Sequence, residues 1–200
     1  MATENKSNKL ITITLALIIT IAAITIIYIN LPKDENGTEI NDGNEQENEI
    51  ILQMLYNDTY KNYTLDQLEN LETFTGSGGY IKSNNITVGP FELTGVKIST
   101  ILNQYNIESE KYSISVKAAD DYPPMILNLS VINGDIPVYN ETGEQIGIGN
   151  ATMIIYYKQD GKYLDELEGP LRLGFIYEDG FTSSKIWIKQ VISILIVDDF

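Results

Sequence analysis

The chain of 200 residues carries 13 Lys and Arg against 28 Asp and Glu, a formal charge of −15, and contains no cysteine and no histidine. So acidic a chain repels nucleic acid phosphates and anionic lipid headgroups, which excludes nucleic acid as a partner. Without Cys there is no disulfide, thiolate metal site, iron–sulfur cluster or cysteine nucleophile, and without His the imidazole-based zinc sites and triads are excluded too. Arginine occurs once, as Arg172.

Residues 1–9 hold Lys6 and Lys9 opposed only by Glu4, and from Leu10 to Ile29 the chain runs 20 residues without a charge. As a helix this run spans about 30 Å, the thickness of a bilayer's hydrocarbon core. Its exit has no small-x-small cleavage site, so 10–30 reads as an uncleaved transmembrane anchor. The basic residues precede it, which places residues 1–9 in the cytoplasm and the rest outside the cell membrane. Residues 31–49 are acidic, rich in Asn and almost free of apolar side chains, a disordered linker. Residues 50–200 then form one extracytoplasmic domain of ordinary size. Beyond the anchor, Asn-x-Ser/Thr sequons begin at Asn36, Asn57, Asn62, Asn85, Asn128, Asn140 and Asn150 and mark candidate N-glycosylation acceptors on exposed loops or edges. The combination fits a cell whose surface proteins are N-glycosylated, such as an archaeal one.

Within the domain, Thr64 and Gln67 form a capping-box pattern ahead of Leu65, Leu68 and Leu71 at helical spacing. Ile98, Ile101, Leu102 and Tyr105 make the apolar face of a second short helix over 98–105. The rest reads as strands at 111–118, 125–132, 153–157, 171–176 and 186–197, with Asn133-Gly134 and Asp160-Gly161 as tight turns between such runs. The expected class is α+β, dominated by antiparallel pairing.

The order of the pieces YTLDQLENL (63–71), ETFTGSGGYIKS (72–83), FELTGVKISTIL (91–102), YSISVKAADDY (112–122), MIIYYKQDGKYLDELEGPLRLGFI (153–176) and GFTSSKIWIKQVISI (180–194) resembles the molybdopterin-binding domain of the sulfite oxidase superfamily. The resemblance implies mostly antiparallel mixed sheets with a few short helices. It also implies a cofactor site built by Arg172, Lys185, Gly78, Gly79 and Tyr80. The family's molybdenum-ligating cysteine is missing, Thr182 stands where the closing motif has its first lysine, and Asp120-Asp121-Tyr122 replaces an Asp-Gly-Tyr turn.

Each candidate also has a plainer reading. Arg172 either points to a pterin pocket or alternates outward from Leu171 and Leu173 and pairs with Glu168 or Glu178. Thr75 to Tyr80 either cradles an anion through backbone amides or forms a strand bulge or hairpin. Asp120-Asp121, Asp165-Glu166-Glu168 and Glu178-Asp179 are oxygen donors for Ca²⁺ or simply solvated turns. Tyr156-Tyr157, Tyr60 and Tyr63 line a ligand groove or pack as core and surface. Three functions follow. The first is a non-catalytic ligand-binding or envelope-associated module that holds no cofactor. The others are a molybdopterin-dependent oxidoreductase with a cysteine-free metal site and a structural adhesin or spacer. The expected partners are the membrane, through the N-terminal helix, and a small-molecule ligand or an envelope protein.

Overall fold

The computed structural model describes residues 49–120 and 122–198. The anchor at 10–30, nearly all of the linker at 31–49 and the sequon at Asn36 lie outside the described residues. Among those described, no helix is long and apolar enough to cross a membrane.

The domain opens with a hairpin of β1 (Leu52–Tyr56) and β2 (Thr59–Tyr63), turned at Asn57, whose φ is 50°. Leu52, Met54 and Tyr56 point inward at the period of two that a half-buried strand requires. Thr64 then starts α1 (Leu65–Glu69) with the expected capping box: the Gln67 amide donates to Thr64 Oγ1 at 3.2 Å and the Thr64 amide to Gln67 Oε1 at 2.9 Å. Strands β3 (Thr73–Ile81) and β4 (Thr87–Lys97) form the longest hairpin, and β4 runs directly into α2 (Ile98–Leu102). Ile98, Ile101, Leu102 and Tyr105 are all buried, as their helical spacing predicts.

Strand β5 (Tyr112–Ala118) matches its alternating pattern, but β6 (Met125–Asn128) is shorter than the expected 125–132. The Asn128 side chain accepts the Val131 amide at 3.1 Å and begins α3 (Leu129–Ile132), a local bond that overrides the strand propensity of Val131 and Ile132. Asn133-Gly134 therefore closes a helix instead of turning a hairpin, with Gly134 at φ 81°. A hairpin of β7 (Asp135–Tyr139) and β8 (Gln145–Asn150) follows, which the sequence pattern does not announce because Pro137, Gly147 and Gly149 interrupt it. Strand β9 (Thr152–Gln159) turns through Asp160-Gly161, both at positive φ as expected, into β10 (Lys162–Tyr163). After β11 (Arg172–Ile176), the strand expected over 186–197 is divided. β12 (Thr182–Ser183) leads into a 3₁₀ turn (Ser184–Ile186) that takes the first residue of the expected strand, and a left-handed Gln190 then sets off β13 (Val191–Asp198).

The class is α+β with mostly antiparallel sheets. One sheet has the order β2-β1-β13-β5-β6, in which only β1 and β13 run parallel. The other has the order β10-β9-β4-β3-β12, with β11 also on β9. The third is the β7-β8 pair. Ile114, Val116, Ile194, Leu52 and Met54 from the first sheet share one core with Leu93, Ile154, Ile155 and Phe175 from the second.

Close backbone packing fixes the register of β4 on β9. A Cβ on Gly95 would stand 2.1 Å from Ile155 O and 2.4 Å from Tyr156 Cα. Backbone atoms there have no rotamer to yield, so Gly95→Ala is expected to cost about 3 kcal/mol or more in urea unfolding. A midpoint close to that of the parent chain would contradict this account of the register.

Candidate functional site

Arg172 opens β11 opposite Tyr156 of β9. All five residues of β11 are buried, so Arg172 does not alternate outward, and it is only 6% exposed. Strands buried on both faces lose the in–out alternation from which outward placement was read. Its guanidinium carbon lies 5.5 Å from the centre of the Tyr156 ring, within cation–π range. Its charge is met by Glu168, one of the two carboxylates expected from the sequence, which accepts from Nη1 of Arg172 and also from Nζ of Lys189. Glu168 is held by a tight turn: Asp165 Oδ1 accepts the amides of Leu167 and Glu168, each at 3.0 Å. Among the described residues no three acidic side chains gather as a metal site. Asp165 serves the turn, and Glu168 serves the two cations.

The wall beside Arg172 is aromatic. Trp187 packs edge-on to Tyr156 at 6.2 Å and tilted on Tyr80 at 5.0 Å. Gly174 makes room for it, since a Cβ there would lie 2.6 Å from the indole ring. The indole nitrogen donates to Thr182 Oγ1 at 2.8 Å, and Thr182, fully buried, reaches Gly79 O at 3.4 Å. A lysine at position 182 would place its charge in this apolar wall. The Tyr156 hydroxyl and Arg172 Nε are buried and have no hydrogen-bond partner among the described residues. Burial pushes the Tyr156 hydroxyl up from its ordinary value. Arg172 pulls it partly back, while Glu168 and Tyr80 push it further.

The glycine run is a strand with a bulge between Gly78 and Tyr80. A Cβ on Gly78 would stand 2.4 Å from Phe175 O, and one on Gly79 would stand 2.8 Å from the Phe181 ring. These glycines admit neighbouring protein. Lys185 is apart from them, exposed on the 3₁₀ turn. With Lys82, Ser83, Asn85, Tyr139 and Ser183 it lines a cleft of about 150 Å³ to which Arg172 does not contribute. The five residues named from the sequence thus divide. Tyr80 joins Arg172 through Trp187 and Tyr156, Gly78 and Gly79 are spent on sheet packing, and Lys185 belongs to a separate cleft. Of the tyrosines, Tyr156 and Tyr157 are core, Tyr60 is exposed, and Tyr63 borders a shallow groove with Gln67, Asn70 and Gln104. Lys82 and the Thr182–Gly79 contact escape the sequence because the cleft and the contact join segments about 100 residues apart.

No protein-family model matches the chain, and no curated protein matches it in sequence. Solved structures do match in fold. The domain shares its fold with a sulfane dehydrogenase. The crystal structure of the sulfane dehydrogenase SoxCD from Paracoccus pantotrophus superposes with a TM-score of 0.54 at 16% identity. The match covers 74% of this chain and 38% of that one, so this chain spans well under half of the protein it matches. At that identity the likeness shows the fold alone.

Because Tyr156 stays protonated in the fold at pH values where an unfolded tyrosine ionises, near pH 10, the unfolded chain binds fewer protons there. Its contribution is fully present below about pH 10 and is lost above it, by about 1.4 kcal/mol per pH unit. Tyr156→Phe is expected to flatten the alkaline decline by that amount in urea melts taken on either side of this pH. An unchanged slope would contradict the burial of an unpartnered hydroxyl.

Proposed function

We propose that the chain is a single-span, extracytoplasmic envelope protein whose domain keeps a sulfite-oxidase-like framework and works as a non-catalytic ligand-binding or envelope-associated module. The observation that carries this reading is the engagement of Arg172 by Glu168. A cofactor phosphate at Arg172 would have to displace a carboxylate that also neutralises Lys189, leaving an uncompensated negative charge beside Tyr156. Gly78 and Gly79 are packed against Phe175 and Phe181, and Thr182 is buried under Trp187. These residues do not fit a molybdopterin, and the chain has no cysteine to ligate its metal. The fold shared with a sulfane dehydrogenase supports the framework part of the proposal.

The binding part rests on the Lys82–Lys185 cleft, where neither lysine has a carboxylate partner among the described residues. At about 150 Å³ it suits a small anion. Drug-sized ligands occupy clefts of about 300–1,000 Å³, so a pterin is too large for it. The location rests on the anchor and on the sequons. Asn57, Asn62, Asn85, Asn128 and Asn150 are exposed and Asn140 is half-buried, all at turns or strands of the surface, where N-glycosylation requires them.

The test is elemental analysis with pterin release on the full chain purified from its own host. The expected result is molybdenum and tungsten far below one per chain in folded protein. A near-stoichiometric metal with released pterin would overturn the proposal in favour of a cysteine-free redox site.

A further inference from the structure

The described sequons fall into two sets. Asn57, Asn85 and Asn140 sit in the turns of the β1–β2, β3–β4 and β7–β8 hairpins, whereas Asn62, Asn128 and Asn150 lie on β2, β6 and β8. Among the described residues those three are outer strands of their sheets: β2 and β6 flank the five-stranded sheet, and β8 pairs only with β7.

An open edge presents unpaired N–H and C=O groups to any extended chain, and proteins usually blunt it with lysine, proline or a bulge. Here those devices are sparse. Lys61 of β2 is turned to Gln104 O at 2.7 Å, Pro123 and Pro124 guard only the approach to β6, and β8 (QIGIGN) has no charge. Instead each edge exposes an apolar side chain: Tyr60 at 62%, Ile126 at 72% and Ile148 at 63%. Each stands two residues before a sequon asparagine, at Asn62, Asn128 and Asn150. Side chains two apart on a strand share a face, about 6.6 Å from one another. A first sugar on any of these asparagines would therefore lie against that apolar side chain.

The registers extend the pattern across the outer face of the five-stranded sheet. Tyr60, Leu55, Leu195, Ser115 and Ile126 form one uncharged row from edge to edge, with Asn62 and Asn128 at its two ends. No hydrogen bond among the described residues engages the amide nitrogen of Asn62, Asn128 or Asn150. That of Asn140 donates to Glu144 at 3.1 Å.

We propose that Asn62, Asn128 and Asn150 carry N-linked glycans that cap the three open strand edges, covering Tyr60, Ile126 and Ile148 and blocking strand addition by a second copy of the chain. This rests on the extracytoplasmic reading above. In the transfer, the amide nitrogen bonds to the anomeric carbon of a lipid-linked oligosaccharide donor. The bond from that carbon to the lipid phosphate or diphosphate oxygen breaks, the amide loses one proton, and the lipid phosphate leaves.

The experiment is glycopeptide mass spectrometry on the full chain purified from its own host, with sedimentation velocity in a non-ionic detergent for wild type and two triple variants. The edge variant is Asn62→Gln, Ser130→Ala, Asn150→Gln. Ser130 is chosen because Asn128 itself caps α3, and Asn62 because Thr64 caps α1. The turn variant is Thr59→Ala, Thr87→Ala, Thr142→Ala, which keeps Asn57 and Asn85 at their positive φ. Glycans at Asn62, Asn128 and Asn150 are expected, with an about two-fold or greater rise in sedimenting mass for the edge variant alone, as bared edges pair. The three single edge variants, each giving part of that rise, serve if the triple variant does not fold. Glycans only at the turns would overturn the capping proposal and leave the extracytoplasmic reading standing, whereas no glycan at any sequon would overturn both. An edge variant as monomeric as a wild type that carries the edge glycans would overturn the capping role alone.

Discussion

A guanidinium among apolar walls is tolerable only while a carboxylate answers it, and Glu168 is that carboxylate. Removing a charge from water costs several kcal/mol unless a partner and hydrogen bonds replace the lost hydration. Glu168 meets Arg172 on one side and Lys189 on the other, so one side chain ties β11, the turn at Asp165 and the approach to β13 together. Backbone bonds reinforce the tie: the Val191 amide donates to Leu171 O at 2.9 Å and the Gln190 amide to Glu168 O at 3.3 Å. Through this junction the six-stranded sheet is joined to the last strand of the five-stranded one. The same junction answers the charge of Arg172 from within the protein, and so the architecture and the functional reading rest on one interaction.

Around it the domain is packed with its own side chains. Trp187 spans Tyr80 and Tyr156, Thr182 satisfies the indole, Phe181 covers Gly79, and the Phe175 carbonyl closes on Gly78. Lys82 and Lys185, neither with a carboxylate partner among the described residues, stand together in a small cleft elsewhere.

Periodicity made the regular elements legible. The capping box at Thr64, the face Ile98-Ile101-Leu102-Tyr105 and the alternation of β5 each depend on neighbours within a few residues, and each is present as read. Where a side chain competes locally with the backbone, periodicity misleads. Asn128 turns the second half of an expected strand into a helix, and Gln190 at φ 50° separates β13 from the turn before it. The pairing of Arg172 with Glu168 was legible because a four-residue separation brings the two side chains within reach across a tight turn. Its burial was not, because the face covering it is built by β9 and by Trp187, and only long-range pairing decides which segments lie there. The division of the glycines from Lys185 was hidden for the same reason.

The parallel ladder of β1 on β13 has a consequence for the order of events during synthesis. Residues 53–56 pair with 193–196, so the middle of the five-stranded sheet is a gap until the last strand is available. The β1–β2 hairpin on one side and the β5–β6 pair on the other have nothing between them before then. Contacts this distant in sequence form late and slowly, because the chain between them must be ordered first. In a chain made from its N-terminus, the two halves of this sheet therefore stay apart until residues 191–198 emerge, although the β3–β4–β9 pairings of the other sheet need no strand that comes after them.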